Sequence, residues 1–242
     1  MRLRLTEFRP RTGPHEHRVV QPRTPLRHTS LTAPDLIGVL RGDHDGLNRL
    51  AGLFSFAAHS PHTVVHIPLR DGVPPDEGLG DRIDLVLGDR IDLVLAHHTL
   101  GLLPSRWPEL RGKLRAGTPL TARTDEARTA RHAESWRAAR TRPDLWDEFR
   151  HTTHARTLFL FGSQDLFAHT ATECAYAAGF GPRQKGVAKG HSVMMSGLAL
   201  AQPPGGGHPY EVLLCFKPYP PYAHFRRPGE SATRPRRPAA AP

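Results

Sequence analysis

The sequence has little cysteine and no long apolar run. Two cysteines, Cys174 and Cys215, allow at most one disulfide, which excludes a disulfide-rich secreted framework and a four-cysteine zinc site. No apolar stretch approaches the roughly 20 residues of a membrane-spanning helix, and no signal-peptide hydrophobic region follows the start. These absences predict a soluble, intracellular protein, cytoplasmic or mitochondrial, without membrane contact.

The first 30 residues are rich in arginine and poor in acids, as mitochondrial presequences are. Pro10, Pro14, Pro22 and Pro25 would nevertheless interrupt the amphipathic helix that such a signal uses. Composition alone therefore leaves the choice between the two compartments open.

The positive charge lies at the two ends of the chain. Residues 1–33 hold seven arginines and two glutamates, residues 217–242 hold six basic residues and one glutamate, and the stretch between them is balanced. Apolar residues make up only 38% of the sequence, so part of the chain is not expected to pack. We predict disordered arginine- and proline-rich tails at 1–33 and 218–242 around one α/β domain at 34–217.

Within that domain, alternating helical and strand patterns predict a mostly parallel sheet of about four to five strands in a three-layer, Rossmann-like arrangement. Residues 124–154 are interpreted as a helical insertion, and residues 180–209 as a glycine- and proline-rich loop. The predicted helices are Pro34–Ala58 (interrupted at Gly42 and Gly46), Ser105–Ala116, Thr124–Arg140 and Gln164–Ala178. The predicted strands are His62–Leu69, Thr118–Ala122, Thr157–Phe161 and Glu211–Lys217.

An exact tandem octamer, GDRIDLVL, occupies Gly80–Leu87 and Gly88–Leu95. In an extended chain the second copy places Ile91, Leu93 and Leu95 on one face, because the side-chain period of a strand is two residues. The two copies could form a hairpin turning at Gly88-Asp89. We favour a duplication in which one copy is structurally redundant and only the second copy forms a buried strand.

The nearest approach to a catalytic motif is Gly190-His191-Ser192-Val193-Met194, which resembles the G-x-S-x-G turn of serine hydrolases. Met194 stands where the second glycine is needed, and no strand leads into Gly190. A hydrolase using Ser192 with His208 or His224 is therefore kept only as an alternative, and enzymatic activity is not favoured.

Sixteen histidines invite a metal hypothesis. His97 and His98 are adjacent and would point to opposite faces of a strand, whereas His151 and His154 could meet on a helical turn but lack an obvious third ligand. We predict no metal site and no cofactor. The better anion-binding candidate is Ser163 with Gln164, where a predicted strand meets the amino terminus of a helix.

The arginine-rich ends suggest salt-dependent contacts with nucleic acid phosphates. Tyr219, Tyr222 and Phe225 precede the C-terminal arginines and could add base stacking. An RNA-associated protein that binds nonspecifically through its tails is thus a second alternative. The candidate contacts are Arg226, Arg227, Arg234, Arg236 and Arg237.

From about Leu47 to Lys217 the order of segments resembles the C-terminal domain of mitochondrial splicing suppressor 51-like proteins. The strings that carry the resemblance are Ser55-Phe56, Thr63–Ile67, Asp92–Ala96, Trp107-Pro108, Gly117-Thr118-Pro119, Thr157-Leu158-Phe159 and Ala177-Ala178-Gly179. The resemblance implies a Rossmann-like α/β domain, and in fungi the family is associated with activation of mitochondrial mRNA translation. The zinc finger that often precedes this domain cannot be built from two cysteines.

Together these observations favour a non-catalytic α/β interaction module with an unknown protein partner, acting in organellar gene expression or translation. Such a module is expected to lack a constellation of polar side chains at the carboxyl ends of its strands.

Overall fold

The computed structural model describes residues 1–34, 37–71, 89–142, 147–187, 190–202 and 211–219. Over these ranges the chain has a mixed α/β fold with a seven-stranded sheet, a four-stranded sheet and a two-stranded hairpin. The main sheet is larger than the four to five strands predicted. Of the predicted C-terminal tail, only residues 218 and 219 are described.

The first 33 residues are not a disordered tail, as predicted, but a structured part of the fold. They form β1 (Arg2–Phe8), β2 (Arg11–Thr12), β3 (His15–Glu16), β4 (Arg18–Pro22) and β5 (Thr29–Leu31). The reason is visible in β1, where Leu3 and Leu5 are buried while Arg2 and Arg4 are exposed. Alternation at a period of two lets an arginine-rich strand bury an apolar face.

The remaining elements follow in chain order. The strands are β6 (Ile37–Gly42), β7 (Thr63–Ile67), β8 (Asp92–His97), β9 (Thr118–Arg123), β10 (Arg150–His154), β11 (Thr157–Gly162), β12 (Val193–Gly197) and β13 (Glu211–Phe216). The helices are α1 (His44–Ala58), α2 (Trp107–Gly112), α3 (Glu126–Ala139) and α4 (Gln164–Phe180).

The seven-stranded sheet has the order β10-β11-β8-β7-β4-β1-β9. Within it, the strand pairs β8–β11 and β4–β7 are parallel. The four-stranded sheet has the order β12-β13-β6-β5, with β6 and β13 parallel. Strands of 1–33 therefore lie in both sheets, and the N-terminal segment cannot be separated from the domain.

Helices at the centre of the chain follow the predictions closely, whereas two other segments do not. Asp125 caps α3 and Ser163 caps α4. The segment 37–42, predicted as helix, is strand β6, and only the part from His44 is helical. β12 lies in the segment predicted as loop. α2 is helical as predicted, although it spans only Trp107–Gly112 of the predicted Ser105–Ala116.

Two apolar cores hold the layers together. The larger lies between α1 and α4 and the inner faces of both sheets, and includes Trp136 and Phe149 from the predicted insertion 124–154. The smaller lies on the opposite face of the main sheet, where Trp107 of α2 packs against Val94 and Phe159. Residues 124–154 thus belong to the main body of the fold.

The second octamer supplies β8, and Ile91, Leu93 and Leu95 all lie in the larger core, as the period of two predicts. The first copy, Gly80–Leu87, lies outside the described residues. The second copy therefore forms a buried strand, and the redundancy of the first copy stays a prediction.

Candidate functional site

The carboxyl ends of β8 and β11 define one edge of the main sheet. The two strands are parallel, and His97 pairs with Gly162 at their ends. β7 is antiparallel to β8, so its first residue, Thr63, lies at the same edge. In open α/β sheets, ligands bind beyond the carboxyl ends of the strands.

Two stacked histidines, His97 and His98, lie at this edge. The imidazoles of His97 and His98 lie 4.3 Å apart between ring centroids, with an interplanar angle of 30°. The argument that they must point to opposite faces was wrong, because β8 ends at His97 and the chain turns into a 3₁₀ helix at His98. Among the described residues, no group of three or more His, Cys, Asp or Glu side chains is placed to hold a metal ion.

Hydrogen bonds set the roles of the two Nδ1 atoms. His98 Nδ1 lies 3.2 Å from the carbonyl oxygen of Gly162 and donates to it. His97 Nδ1 accepts from the Thr99 hydroxyl at 2.7 Å and from its backbone N–H. Burial, with smaller contributions from His98 and His62, lowers the pKa of His97. At neutral pH the ring of His97 is therefore uncharged, and its Nε2 carries the proton.

Ser163 and Gln164 lie where they were predicted, at the junction of β11 and α4. The Ser163 hydroxyl accepts from the backbone N–H of Leu166 and donates to the Asp147 carboxylate. A carboxylate of the chain itself thus stands at the positive end of the helix dipole, where an anion would be bound. The predicted anion site is occupied by Asp147.

Gln164 instead joins three helices through two imidazoles. Its amide Nε2 lies 3.0 Å from His59 Nδ1 and 3.1 Å from His132 Nε2, and His132 Nδ1 lies 2.6 Å from the Asp165 carboxylate. His59 Nε2 is 3.3 Å from the hydroxyl of Thr129. Burial is the main reason that the pKa of His59 is lowered, so its neutral ring can accept from the amide at neutral pH.

A cleft of about 450 Å³ opens beside the segment that follows the histidine pair. The β2–β3 hairpin forms one wall, and the chain from Leu100 to Leu110 forms the other. Lys113 Nζ donates to the carbonyl of Arg11 at 2.8 Å, which ties the hairpin to the end of α2. The lining residues are Thr12, Pro14, His15, Glu16, His17, Leu100, Gly101, Leu102, Leu103, Arg106 and Leu110.

The cleft has an apolar wall and two charged side chains, Glu16 and Arg106, that differ in how strongly they are paired. Glu16 is paired with Arg11 at 3.1 Å and with Arg9 at 3.5 Å. Arg106 has only a long, exposed contact of 3.6 Å with Glu109, a kind of pair that contributes little. Burial lowers the pKa of His17, whose Nε2 lies 3.0 Å from the Thr12 hydroxyl. Arg106 is therefore the lining charge most available to a ligand.

The hydrolase alternative is not supported around Ser192. Ser192 precedes strand β12, whereas a nucleophile elbow requires a strand before the serine and a helix after it. His208 and His224 lie outside the described residues, as do Arg226, Arg227, Arg234, Arg236 and Arg237. His151 and His154 lie on strand β10, so they do not share a helical turn.

Sequence patterns missed a buried polar cluster at the other end of β8. Asp92, 1% exposed, accepts from Arg70 Nη2 at 2.6 Å and from the backbone N–H groups of Leu69 and Arg70. His66 Nε2 lies 3.5 Å and Arg111 Nη1 lies 3.7 Å from the same carboxylate. The only signal was an aspartate at the start of an otherwise apolar strand, which must find partners if it is buried.

No helix of the described residues combines the length and apolar character needed to cross a bilayer. No family model, curated protein or solved structure matches the chain.

Proposed function

We propose that the protein is a binding module whose cleft beside the β2–β3 hairpin takes a ligand that carries a carboxylate next to an apolar group. The observation that carries the proposal is the pairing of a leucine-lined wall with Arg106 in a cleft of about 450 Å³. This volume falls within the usual range for small-ligand sites, which is about 300–1,000 Å³.

The chemistry of the lining selects the ligand class. Leu100, Leu102 and Leu103 offer an apolar surface, and Leu103 is 62% exposed although it is a large aliphatic residue. Since Glu16 is already held by two arginines, Arg106 is the group that can receive a carboxylate as a two-pronged donor. A free organic acid and the carboxyl terminus of a peptide share this chemistry.

The non-catalytic interaction module predicted from the sequence is compatible with such a cleft and stays a proposal. One of its expectations is not met, because His97, His98, Ser163 and Gln164 lie at the carboxyl edge of the strands. These side chains bind mainly other groups of the chain. The Rossmann-like classification, the resemblance to mitochondrial splicing suppressor 51-like proteins and a role in organellar translation remain predictions.

Calorimetric titration with matched acids and amides tests the proposal. The probes are 3-phenylpropanoate and 3-phenylpropanamide, together with a short peptide ending in leucine as its free acid and as its carboxamide. We expect an acid to bind at least tenfold more tightly than its amide, because a charge-assisted hydrogen bond contributes about 1.5–3 kcal/mol. A preference between the two acids identifies the source of the carboxylate.

Two variants locate the binding. Arg106→Gln should remove the preference for acids, and Leu103→Asn, which removes apolar surface without adding charge, should weaken acid and amide alike. The matched control is Arg137→Gln on α3. Like Arg106, Arg137 is an exposed arginine whose ion pair is with a glutamate three residues away. Equal binding of acids and amides by the unaltered protein, or an acid preference that survives Arg106→Gln, would rule out the proposal.

A further inference from the structure

Four arginines gather on one exposed face of the main sheet, at the end remote from the cleft. The hairpin that borders the cleft joins the carboxyl end of β1 to the start of β4, so Arg2 and Arg4 lie at the opposite end of β1. Both are exposed, whereas Leu3 and Leu5 between and after them are buried against the larger core. The arginines are therefore carried on a strand whose position is fixed by packing.

Strand pairing brings two further arginines beside them. Arg2 is directly opposite Arg123 of the edge strand β9, and Arg4 is opposite Thr121. On the other side, the backbone N–H of Arg23 donates to the carbonyl of Arg4 at 3.0 Å. We call Arg2, Arg4, Arg23 and Arg123 the arginine face.

Over the described ranges, none of these four side chains forms an ion pair within 4.0 Å, although other arginines nearby do. Arg18, the first residue of β4, lies 2.8 Å from Glu7, and Arg9 lies 2.9 Å from the same glutamate. Two exposed carboxylates nearby have other partners: Glu126 pairs with the amino terminus of Met1 at 2.7 Å, and Asp45, which lines a cavity with Arg2 and Arg4, lies 3.8 Å from Arg49. Like charges directly opposite on a strand pair repel each other, so an anionic partner would relieve this arrangement.

We propose that the arginine face binds the phosphate backbone of single-stranded nucleic acid. Residues i and i+2 of a strand are separated by about 6.6 Å, and this separation between Arg2 and Arg4 suits successive phosphates of an extended strand. Thr6 and Thr121 lie on the same face by their register and supply hydroxyl groups of the kind that contact phosphates.

The face binds without a base preference. Base stacking needs an exposed aromatic ring, and Phe8, the aromatic residue of β1, is partly buried against the smaller core. The arginine face contains none of the C-terminal arginines proposed from the sequence, and three of its four residues, Arg2, Arg4 and Arg23, belong to the segment that composition had assigned to a tail. It is also independent of the carboxylate-binding cleft.

Fluorescence anisotropy of a labelled oligouridylate, measured with the full chain over a range of salt concentrations, tests the proposal. Each phosphate contact on a single strand contributes about −0.7 to the slope of log K against log salt, so four contacts predict a contribution of about −2.8. The triple variant Arg2→Gln, Arg4→Gln, Arg123→Gln should make the slope less steep by about 2 and weaken binding at low salt at least tenfold.

A second variant controls for total charge by replacing Arg131 and Arg137 of α3 and its C-cap residue Arg140 with glutamine. Its slope should change by less than half as much. A third replaces the arginines at 226, 227, 234, 236 and 237, and we expect it to keep the contribution of the arginine face. The proposal fails if the arginine-face variant binds the oligonucleotide with the unaltered slope, or if an acidic peptide is bound while the oligonucleotide is not. Circular dichroism and the thermal midpoint establish that each variant is folded.

Discussion

Replacing Asp92 should reveal how strongly the buried polar cluster holds the sheet. Asp92 stands at the first position of β8 and accepts from Arg70 and from two backbone N–H groups, with His66 and Arg111 beyond them. Asp92→Ala leaves all of these donors without their acceptor. Breaking a buried charge pair by removing one partner costs about 3–5 kcal/mol.

The expected value lies at the lower end of that range. The side chains of Arg70 and Arg111 are 18% and 32% exposed, so both can recover water when the carboxylate is removed. His66 is buried, and its burial is the main reason that its pKa is lowered; it is therefore neutral at pH 7 and adds no unpaired charge. We expect a loss of about 3 kcal/mol for Asp92→Ala, measured by urea unfolding at pH 7.

The pH dependence gives an independent check. Burial by itself would raise the pKa of Asp92, but the Nε2–H of His66, 3.5 Å away, followed by the backbone N–H and the charge of Arg70, outweighs burial and holds this pKa below its usual value. A carboxyl with a depressed pKa adds stability above its unfolded-state value, and this is lost as the pH falls through the folded-state pKa. The unaltered protein should therefore lose stability below about pH 4 more steeply than Asp92→Asn does.

Asp92→Asn keeps an oxygen for the backbone donors and should cost less than Asp92→Ala at pH 7. The reasoning is refuted if Asp92→Ala costs less than about 1 kcal/mol, the typical effect of an ordinary substitution. It is also refuted if Asp92→Asn and the unaltered protein lose stability in parallel in acid.

Three further predictions concern α4. Gly181→Ala should be strongly destabilising, because an added Cβ would collide with the ring of Phe216. The Cβ added by Gly179→Ala meets nothing within 4 Å, so this variant should be neutral or stabilising by up to about 1 kcal/mol. Thermal unfolding compares the stabilities of the two variants. The imidazole of His169 should titrate with a pKa of about 4 by NMR, because burial and then Arg137 and Arg140 disfavour its charged form. Since that pKa is lowered, the contribution of His169 to stability is full above pH 6.5 and declines as the pH falls toward 4. A titration midpoint above 6 would contradict the burial argument. Ser163→Ala should cost about 1 kcal/mol by loss of the helix cap, and Ser163→Asn should recover most of it in the same unfolding assay.

Local patterns identified several elements correctly. His62–Leu69 and Thr157–Phe161 were predicted as strands from their β-branched and aromatic residues, and the strands lie at Thr63–Ile67 and Thr157–Gly162. The helix predicted at Gln164–Ala178 is α4. In each case the deciding information lies within a few neighbouring residues. The same holds for the second octamer, whose period of two specified the face that Ile91, Leu93 and Leu95 bury.

Errors arose where composition was weighed above pattern. The arginines and prolines of residues 1–33 indicated disorder, although the R-L-R-L alternation at Arg2–Leu5 is itself a strand pattern. Segment 37–42 has apolar spacing that fits both a helix and a buried strand, and short apolar runs cannot be distinguished by periodicity alone. Pairing with β5 and β13 settles the choice in favour of a strand.

The candidate sites depended almost entirely on contacts between distant parts of the chain. Arg2 and Arg123 are adjacent only because β1 pairs with β9, and Gln164 contacts His59 only because α1 and α4 pack together. The cleft likewise joins residues 12–17 to residues 100–110. No local pattern encodes these separations, since they follow from strand order and helix packing.

The sequence by itself therefore determined the mixed α/β character, the principal central helices and strands, and the concentration of positive charge near the two ends. Each of these is a property of composition or of a short periodic segment. Only the tertiary structure decided that the N-terminal charge lies on an ordered sheet face rather than in a tail. The physical reason is that burial of Leu3 and Leu5 against the core, made possible by strands far along the chain, stabilises a segment that its own composition would not.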